Sequence, residues 1–267
     1  MPWEVRWHNE QSDTTCLTNL LKEGVRSNLS GGDLIVFFGE QFIDKPYAGG
    51  TLEGSPEMLT VNMDEFDCTT FVETVLALTA TVEERRAGWQ DFIHNLENLR
   101  YRQGNVDGYS SRLHYISDWI VDNSHRGNLH EVTDRMQGVG HTVKTLDFMT
   151  NHRSSYAALA DSAEFARMKS VETGYRSHRF PYMKTSTLSG KNGMKSLTQG
   201  DILAFTTKTA GLDVSHMGIV VVEPDGPHLL HASSKAGRVV KEKTLLSEYL
   251  KKNPGVTGAR VIRLGER

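Results

Sequence analysis

The fold of this chain is organised around one stretch, residues 62–78, which reads Asn62-Met63-Asp64-Glu65-Phe66-Asp67-Cys68-Thr69-Thr70-Phe71-Val72-Glu73-Thr74-Val75-Leu76-Ala77-Leu78. In its second half, apolar side chains recur every three or four residues, which is the spacing of a helix with one buried face. Asp67 is a favoured residue type for a helix N-cap, because its carboxylate can accept the free N–H groups of the first turn. The pattern therefore predicts a buried helix that begins at Cys68.

A cysteine at this position has two interpretations. The positive end of the helix macrodipole favours a thiolate, and reactive cysteines are commonly presented at helix starts. Free cysteines are also common as small buried core residues. The stretch alone leaves both interpretations open.

The composition limits the classes of function. The chain has 267 residues, of which 38% are hydrophobic and 24% charged, with a formal net charge of −3. These values are typical of a globular protein and give no electrostatic case for binding nucleic acid or a membrane surface. No apolar run approaches the roughly 20 residues of a membrane-spanning helix. The two cysteines, Cys16 and Cys68, cannot form a disulfide framework.

The cellular compartment depends on whether a secretory leader has been removed from the chain. The first residues lack a charged segment followed by an apolar one, which is the pattern of a secretory leader. We expect the cell envelope, the periplasm or the exterior of the cell if a leader has been trimmed, and the cytoplasm is the open alternative. The oligomeric state is not fixed by the sequence.

The two ends of the chain differ in periodicity. Helical spacing predicts helices over residues 13–27, 34–43 and 81–101, and a short strand over 58–63. From residue 197 onward the pattern changes to short β-rich runs at 201–205, 215–222, 228–234, 238–241 and 260–264, with a helix at about 244–252. Turns such as Pro224-Asp225-Gly226 between such runs predict an antiparallel meander. The fold class predicted is therefore α+β.

The middle of the chain is polar, with helical signals at 154–172 and little β pattern. We interpret residues 1–267 as one catalytic domain, with its core at approximately 30–100 and 197–265 and a helical insertion at approximately 101–195. The run Tyr109 to Ile120 mixes aromatic and polar side chains. It is either a helix with core rings or one wall of a polar pocket, in which Arg112 binds a carboxylate and Tyr115 offers a flat surface.

Two histidines supply the second half of a candidate site. His216 begins one predicted strand and His231 lies midway along the next, so antiparallel pairing can place them on the same face. His216 would then accept the proton of Cys68, and His231 would bind the other ring nitrogen of His216 and fix its tautomer. The backbone N–H of Cys68 would contribute to an oxyanion hole.

Other functions remain compatible with these residues. One thiolate and two imidazoles could ligate a catalytic zinc ion, although the close-pair spacing usual for zinc ligands is absent. Each histidine could also be an ordinary hydrogen-bonded core residue. A module that binds a ligand without catalysis would use the same pocket. The cysteine mechanism needs no cofactor, and we predict none.

The order of these motifs resembles a known family. Asp67-Cys68 at a helix start, Gly200-Asp201-Ile202-Leu203-Ala204-Phe205, Ser215-His216-Met217-Gly218-Ile219-Val220 and Leu230-His231-Ala232-Ser233 look like the ordered motifs of NlpC/P60 cell-wall hydrolases. Three further blocks look like the DUF1460 branch, an N-acetylmuramoyl-L-alanine amidase-like group. These blocks are Pro46 to Glu53, Phe66 to Glu73, and Ser111 to Tyr115 with Asp118-Trp119.

The resemblance implies a papain-like α+β fold in which Cys68 is the nucleophile, His216 the base and His231 the third member. It implies hydrolysis of the amide between the muramic lactyl group and L-alanine in peptidoglycan fragments, with 1,6-anhydro muropeptides as candidate substrates. The bond between D-glutamate and the diamino acid, which most NlpC/P60 enzymes cut, is the alternative. Carried over by residue, the resemblance also implies substrate contacts from Tyr47, Glu53, Arg112, His114, Tyr115 and Asp118.

Overall fold

The computed structural model describes residues 4–265. Its helices are α1 (Glu10–Ser27), α2 (Gly31–Glu40), α3 (Cys68–Glu83), α4 (Trp89–Arg100), α5 (Ile116–His125), α6 (Phe148–Asn151), α7 (Ser162–Gly174), α8 (Thr185–Leu188), α9 (Lys191–Lys195) and α10 (Leu246–Lys252). Its strands are β1 (Val5–Trp7), β2 (Leu59–Val61), β3 (Leu129–Glu131), β4 (Gly140–Val143), β5 (Arg179–Lys184), β6 (Ile202–Thr207), β7 (Val214–Glu223), β8 (Gly226–Ser233), β9 (Arg238–Lys241) and β10 (Val256–Leu264). The mixture of helices and sheet agrees with the predicted α+β class. In this part of the chain, none of the helices combines the length and the apolar character that crossing a bilayer requires.

Helix α3 lies at the centre of the helical layer. It begins at Cys68 as predicted, and it packs against α1, α2 and α4 on one side and against β7 and β8 on the other. Every residue from Thr70 to Thr81 is buried. The burial extends beyond the single face that the apolar spacing predicted, since a helix enclosed between two layers has no large solvent face.

The prediction of one helix over residues 81–101 is wrong in its first third. Residues 81–83 belong to the end of α3, and a second helix, α4, begins at Trp89. Arg85 between them has φ of 58°, a left-handed conformation that ends α3. Gly88 then provides the N-cap of α4.

The sheet has the strand order β4-β5-β10-β6-β7-β8-β9, and β3 also pairs with β10. All of these pairings are antiparallel. The five C-terminal strands β6 to β10 are those predicted from the short β-rich runs. A separate two-stranded sheet joins β2 to β1 in parallel, with Val5 opposite Leu59.

The description of residues 101–195 as a helical insertion needs correction, because this segment contributes three strands to the main sheet. β3 and β5 both pair with β10, and β4 extends the edge by pairing with β5. Sequence patterning missed them for physical reasons. β3 has only three residues, β4 alternates between part-buried and exposed positions, and β5 contains Pro181, a residue usually excluded from strand interiors.

Side chains from the two faces of the sheet enter different clusters. Ala204, Met217 and Ile219 pack with α1 to α4, whereas Phe205, Val220 and Leu229 pack with α10 on the other face. A third cluster lies mostly within residues 101–195, where Tyr115, Met149 and Leu159 meet. The site described next lies where the start of α3 meets β7 and β8.

Candidate active site

Cys68 is the first residue of α3, and the turn before it is held by a reciprocal cap. The Asp67 carboxylate accepts hydrogen bonds from the backbone N–H of Thr69 at 3.0 Å and of Thr70 at 2.8 Å. The backbone N–H of Asp67 in turn donates to the Thr70 hydroxyl at 2.9 Å. This capping box fixes the direction in which the chain enters the helix and therefore where the thiol is presented.

The environment of the thiol opposes its ionisation. Burial raises the pKa of Cys68 to about 11, and the neighbouring Asp67 carboxylate adds to the rise. Hydrogen bonds to the backbone of Met217, to Thr69 and to its own backbone act in the opposite direction but are outweighed. The expectation that the helix start favours the thiolate therefore does not hold for the resting site. Burial destabilises the Cys68 thiolate by more than the helix terminus stabilises it.

The contact with Met217 also locates the thiol on the sheet. Met217 is the β7 residue that follows His216, so the sulfur lies beside the strand position that carries this histidine. Cys68 and His216 both keep part of their surface exposed, whereas His231 is buried, with 2% of its surface exposed. Solvent can therefore reach the first two side chains but not the third.

The two histidine rings are in contact, as predicted from their positions on adjacent strands. His216 Nε2 and His231 Nδ1 are 2.6 Å apart, and the rings meet edge to face at 79°. The register between β7 and β8 pairs Ile219 with Leu230, so Gly218 faces His231 and His216 reaches it diagonally. Glycine leaves room there, because a Cβ on residue 218 would lie 3.1 Å from the Cβ of His231, which is closer than an ordinary van der Waals contact.

Aromatic rings hold the histidines in place. Phe205 stacks on His216 with a centroid distance of 5.9 Å and an interplanar angle of 12°. Tyr249 of α10 packs edge-on against His231 at 5.6 Å and also contacts Phe205. These neighbours restrict both imidazoles and exclude water from the ring surfaces that they cover.

The same burial keeps both imidazoles neutral. Burial lowers the pKa of His216 to about 3, with the adjacent His231 adding to the effect. Burial also lowers the pKa of His231 to about 4. With the thiol pKa raised and the imidazole pKa values lowered, the resting pair consists of a neutral thiol and a neutral imidazole, which can act as a base.

A carboxylate that the sequence analysis did not single out completes this group. Glu242 Oε1 lies 3.1 Å from His231 Nε2, and its side chain is 29% exposed. The sequence offers little signal for this contact, because Lys241-Glu242-Lys243 reads as a solvated run of charges. The contact becomes visible only in the tertiary structure, where the residue after β9 lies against β8.

Of the residues assigned to substrate by resemblance, Tyr47 lies near the thiol. The pKa of its phenol is raised by burial and then by its proximity to Cys68 and Asp67. Its backbone is anchored by a bridge to Phe66 and by a hydrogen bond from its N–H to the carbonyl of Gly237. The loop 46–54 thus brings its aromatic ring to the start of α3.

Glu53, Arg112 and His114 form a second group. Arg112 donates to Glu53 at 2.9 Å and also pairs with Glu57 at 3.2 Å, while its guanidinium lies 4.9 Å from the centre of the Tyr109 ring. His114 Nε2 lies 2.8 Å from the carbonyl oxygen of Tyr109, and burial lowers its pKa well below the usual value, with Arg112 adding to the effect. Glu53 is the exposed member of the group, at 45% for its side chain.

Tyr115 and Asp118 have other partners and are almost fully buried. The Tyr115 hydroxyl donates to Glu172 at 2.7 Å and accepts from the backbone N–H of Met149 at 2.9 Å. Asp118 accepts hydrogen bonds from Arg102 at 2.6 Å and from the hydroxyl of Tyr175 at 2.6 Å. The structure therefore ties both side chains to other partners within the 101–195 segment and not to the group formed by Glu53, Arg112 and His114.

Within residues 4–265, the side chains that converge closely enough to hold a metal ion are Glu223, Asp225 and His228. Lys241 already pairs with Glu223 at 2.8 Å, and both ring nitrogens of His228 have hydrogen-bond partners. In the described part of the chain, Cys68, His216 and His231 do not form such a convergent group. The zinc alternative therefore has no geometric support at this site.

Comparison with known proteins now identifies the family. The model of the AmiA-like family, described as N-acetylmuramoyl-L-alanine amidase-like, matches residues 37–256, which include every side chain of the site. The chain belongs to this amidase-like family. No match was found among curated protein sequences.

Three solved structures are similar to this chain, and one of them is named an amidase. An N-acetylmuramoyl-L-alanine amidase from Bacteroides uniformis is 40% identical, with a TM-score of 0.81 over 88% of this chain and 98% of that chain. A Bacteroides fragilis protein, provisionally described as a xylanase, is 42% identical with a TM-score of 0.78, over 85% of this chain and 99% of that one. A DUF1460 protein from Legionella pneumophila has a TM-score of 0.74 over 97% of this chain and 96% of that one, and at 21% identity it shows the fold alone.

Proposed function

We propose that this amidase-like chain is a cysteine hydrolase that cleaves the amide between N-acetylmuramic acid and L-alanine in peptidoglycan fragments. Membership of the family and the amidase from Bacteroides uniformis support the bond and the substrate class. The observation that supports the mechanism is the 2.6 Å contact between His216 and His231, together with the hydrogen bond between the Cys68 thiol and the backbone of Met217, the residue after His216. We also propose that the chain acts as a single catalytic domain with a papain-like core of the NlpC/P60 type.

The proposed reaction starts from the neutral pair. His216 accepts the proton of Cys68 as the sulfur attacks the amide carbonyl carbon, and the backbone N–H of Cys68 supports the negative charge that develops on the carbonyl oxygen. His216 then gives its proton to the nitrogen of L-alanine, which leaves as the free amine. Water attacks the remaining thioester with His216 as base, which releases the acid and restores the thiol.

The substrate would lie between Tyr47 and the group formed by Glu53 and Arg112. Tyr47 borders the thiol, and Glu53 is the accessible member of the charged group. Replacing Glu53 with Gln tests this assignment, because an exposed side chain can be changed with little effect on folding. We expect KM for muropeptides to rise roughly tenfold, the size of one lost charged contact, with little change in the unfolding midpoint. An unchanged KM would remove Glu53 from the substrate site.

Three other functions remain as competitors. An endopeptidase would cut between D-glutamate and the diamino acid, and a binding module would retain fragments without turnover. Glycoside hydrolysis, raised by the Bacteroides fragilis protein, would leave the arrangement of Cys68, His216 and His231 without a role. Mass spectrometry of digested muropeptides, including 1,6-anhydro forms, distinguishes all of these by the bond that is cut.

A peptidoglycan substrate also points to the cell envelope or the exterior of the cell as the compartment, with the cytoplasm as the alternative. Cell fractionation tests this.

The deciding experiment replaces the nucleophile. Cys68→Ala should lower turnover by roughly 10³-fold or more, because both steps of the reaction pass through the sulfur. Cys68→Ser should still bind muropeptide. Cys16→Ala is the matched control and should retain activity, since Cys16 lies on α1 away from the site. Undiminished turnover by Cys68→Ala would rule the proposal out.

A further inference from the structure

Glu242 ends a chain of hydrogen bonds that runs through both histidines. His216 Nε2 meets His231 Nδ1 at 2.6 Å, and His231 Nε2 meets Glu242 Oε1 at 3.1 Å. Each contact joins two nitrogen or oxygen atoms that must share one proton. The last group in this series of hydrogen bonds, the Glu242 carboxylate, therefore decides which nitrogen of each ring carries the proton.

The ionised carboxylate can only accept a hydrogen bond. His231 must then carry its proton on Nε2, which leaves Nδ1 as an acceptor when the ring is neutral. His216 must in turn donate from Nε2 to that atom, so its own Nδ1 is left without a proton. This unprotonated Nδ1 is the basic atom that the proposed reaction needs.

We propose that Glu242 is a positioning residue that sets the tautomers of His231 and His216 and so keeps His216 Nδ1 free to act as the base. The inference rests on the proposed function, in which His216 accepts the proton of Cys68. Glu242 touches neither the substrate nor the thiol in this scheme. It acts only through the two imidazole rings.

The surroundings of Glu242 suit this role. Its backbone N–H donates to the carbonyl of Leu229 at 2.8 Å, and its own carbonyl lies 2.9 Å from His228 Nδ1, so the residue is fixed to β8 on both sides. Its negative charge also favours the positive charge that His216 acquires during the reaction, because the intervening imidazole transmits the polarisation. Without the carboxylate, His231 could donate from Nδ1, and His216 would then hold its proton on the wrong nitrogen.

The first measurement needs no substrate. Long-range ¹H–¹⁵N NMR of protein labelled at histidine nitrogens distinguishes a protonated from an unprotonated nitrogen in each ring. In the unmodified protein we expect His216 and His231 each to be protonated on Nε2 and unprotonated on Nδ1. In Glu242→Gln we expect a mixture of tautomers, because the amide can donate as well as accept. Glu242→Ala, which removes the acceptor altogether, should show the same mixture if the carboxylate matters.

The second measurement is the hydrolysis of a purified muropeptide by the same variants. We expect kcat of Glu242→Gln to fall roughly 10- to 100-fold with KM little changed. This loss is smaller than the ~10⁴-fold loss known where the carboxylate contacts the base directly. Glu248→Gln is the matched control, because Glu248 is a glutamate of α10 that pairs with Lys251 instead of a histidine. It should leave both the tautomers and kcat unchanged.

The two measurements separate the two proposals. Unchanged tautomers in both Glu242 variants, or an unchanged kcat in Glu242→Gln, would overturn the role of Glu242. A shift of tautomers in the variants, with no muropeptide hydrolysis by the unmodified protein, would support the effect of Glu242 on proton placement and overturn the proposed function.

Discussion

Cys68 shows that residue type and position do not fix chemical state. Its place at the start of α3 favours the thiolate through the helix dipole, an effect of roughly 0.3–1 kcal/mol at an accessible terminus. Burial raises its pKa to about 11 instead. His216 changes in the opposite direction for the same reason, because burial disfavours the charged form of both groups. The site therefore rests in its neutral form and separates charge only when a substrate is attacked.

This neutral resting state predicts an unusual pH profile. The pKa of His216 is lowered to about 3 and that of His231 to about 4, so both stay unprotonated well below the usual histidine value of 6.5. Lowered pKa values move the acid limb of kcat/KM to lower pH, because the base is lost only when it binds a proton. We expect kcat/KM for muropeptide hydrolysis to stay nearly constant from pH 7 down to about 5. An acid limb at pH 6.5 or above would show that the imidazoles are not shifted.

At the scale of elements, the site depends on how closely β7 and β8 approach. Gly218 lies on β7 opposite His231, where a Cβ would be 2.6 Å from a methyl carbon of Leu229 as well as close to His231. The absence of a side chain at this point allows His231 to lean across toward His216. The Ser215-His216-Met217-Gly218 motif therefore supplies both the proposed base, His216, and the glycine that leaves room for His231.

Gly218→Ala tests this packing. We expect the unfolding free energy to fall by about 1–3 kcal/mol, the usual cost of overpacking, and muropeptide hydrolysis to fall as His231 is displaced. Gly255→Ala is the matched control, because no atom lies within 4 Å of a Cβ at that position. Urea unfolding and kcat measured on both variants would check the prediction, which fails if the two behave alike.

At the scale of the whole molecule, the 101–195 segment is joined to the sheet through a buried arginine. Arg260 of β10 is 1% exposed and makes two 2.7 Å hydrogen bonds to Glu131 of β3. Its remaining nitrogen donates to the hydroxyl of Ser117 on α5, and its guanidinium lies 5.1 Å from the centre of the Phe180 ring of β5. One side chain thus contacts three elements of this segment.

Arg260→Met should therefore destabilise the molecule by about 3–5 kcal/mol, because it leaves the Glu131 carboxylate without its cationic partner in a largely buried site. Arg167→Met is the control, since Arg167 pairs with Glu164 while half exposed and such pairs contribute about 0–1 kcal/mol. Chemical denaturation gives both values. Equal and small losses would mean that this buried pair does not hold the segment to the sheet.

The sequence by itself determined the features that depend on neighbouring residues. The Asp67 cap and the helix that begins at Cys68 follow from hydrogen bonds within one turn, and strands β6 to β10 follow from short β-rich runs separated by turns. The face shared by His216 and His231 followed from the antiparallel pairing that such short turns impose on adjacent strands. These interactions span few residues, so a linear pattern contains them.

Only the tertiary structure decided what depends on which elements pack together. It placed Glu242 against His231, gave Tyr115 and Asp118 their partners in the 101–195 segment, and joined β3 and β5 to β10. It also decided the protonation of the site, because burial depends on residues from distant parts of the chain. Ionisation and long-range hydrogen bonds respond to the surroundings in space, and those surroundings exist only once the chain has folded.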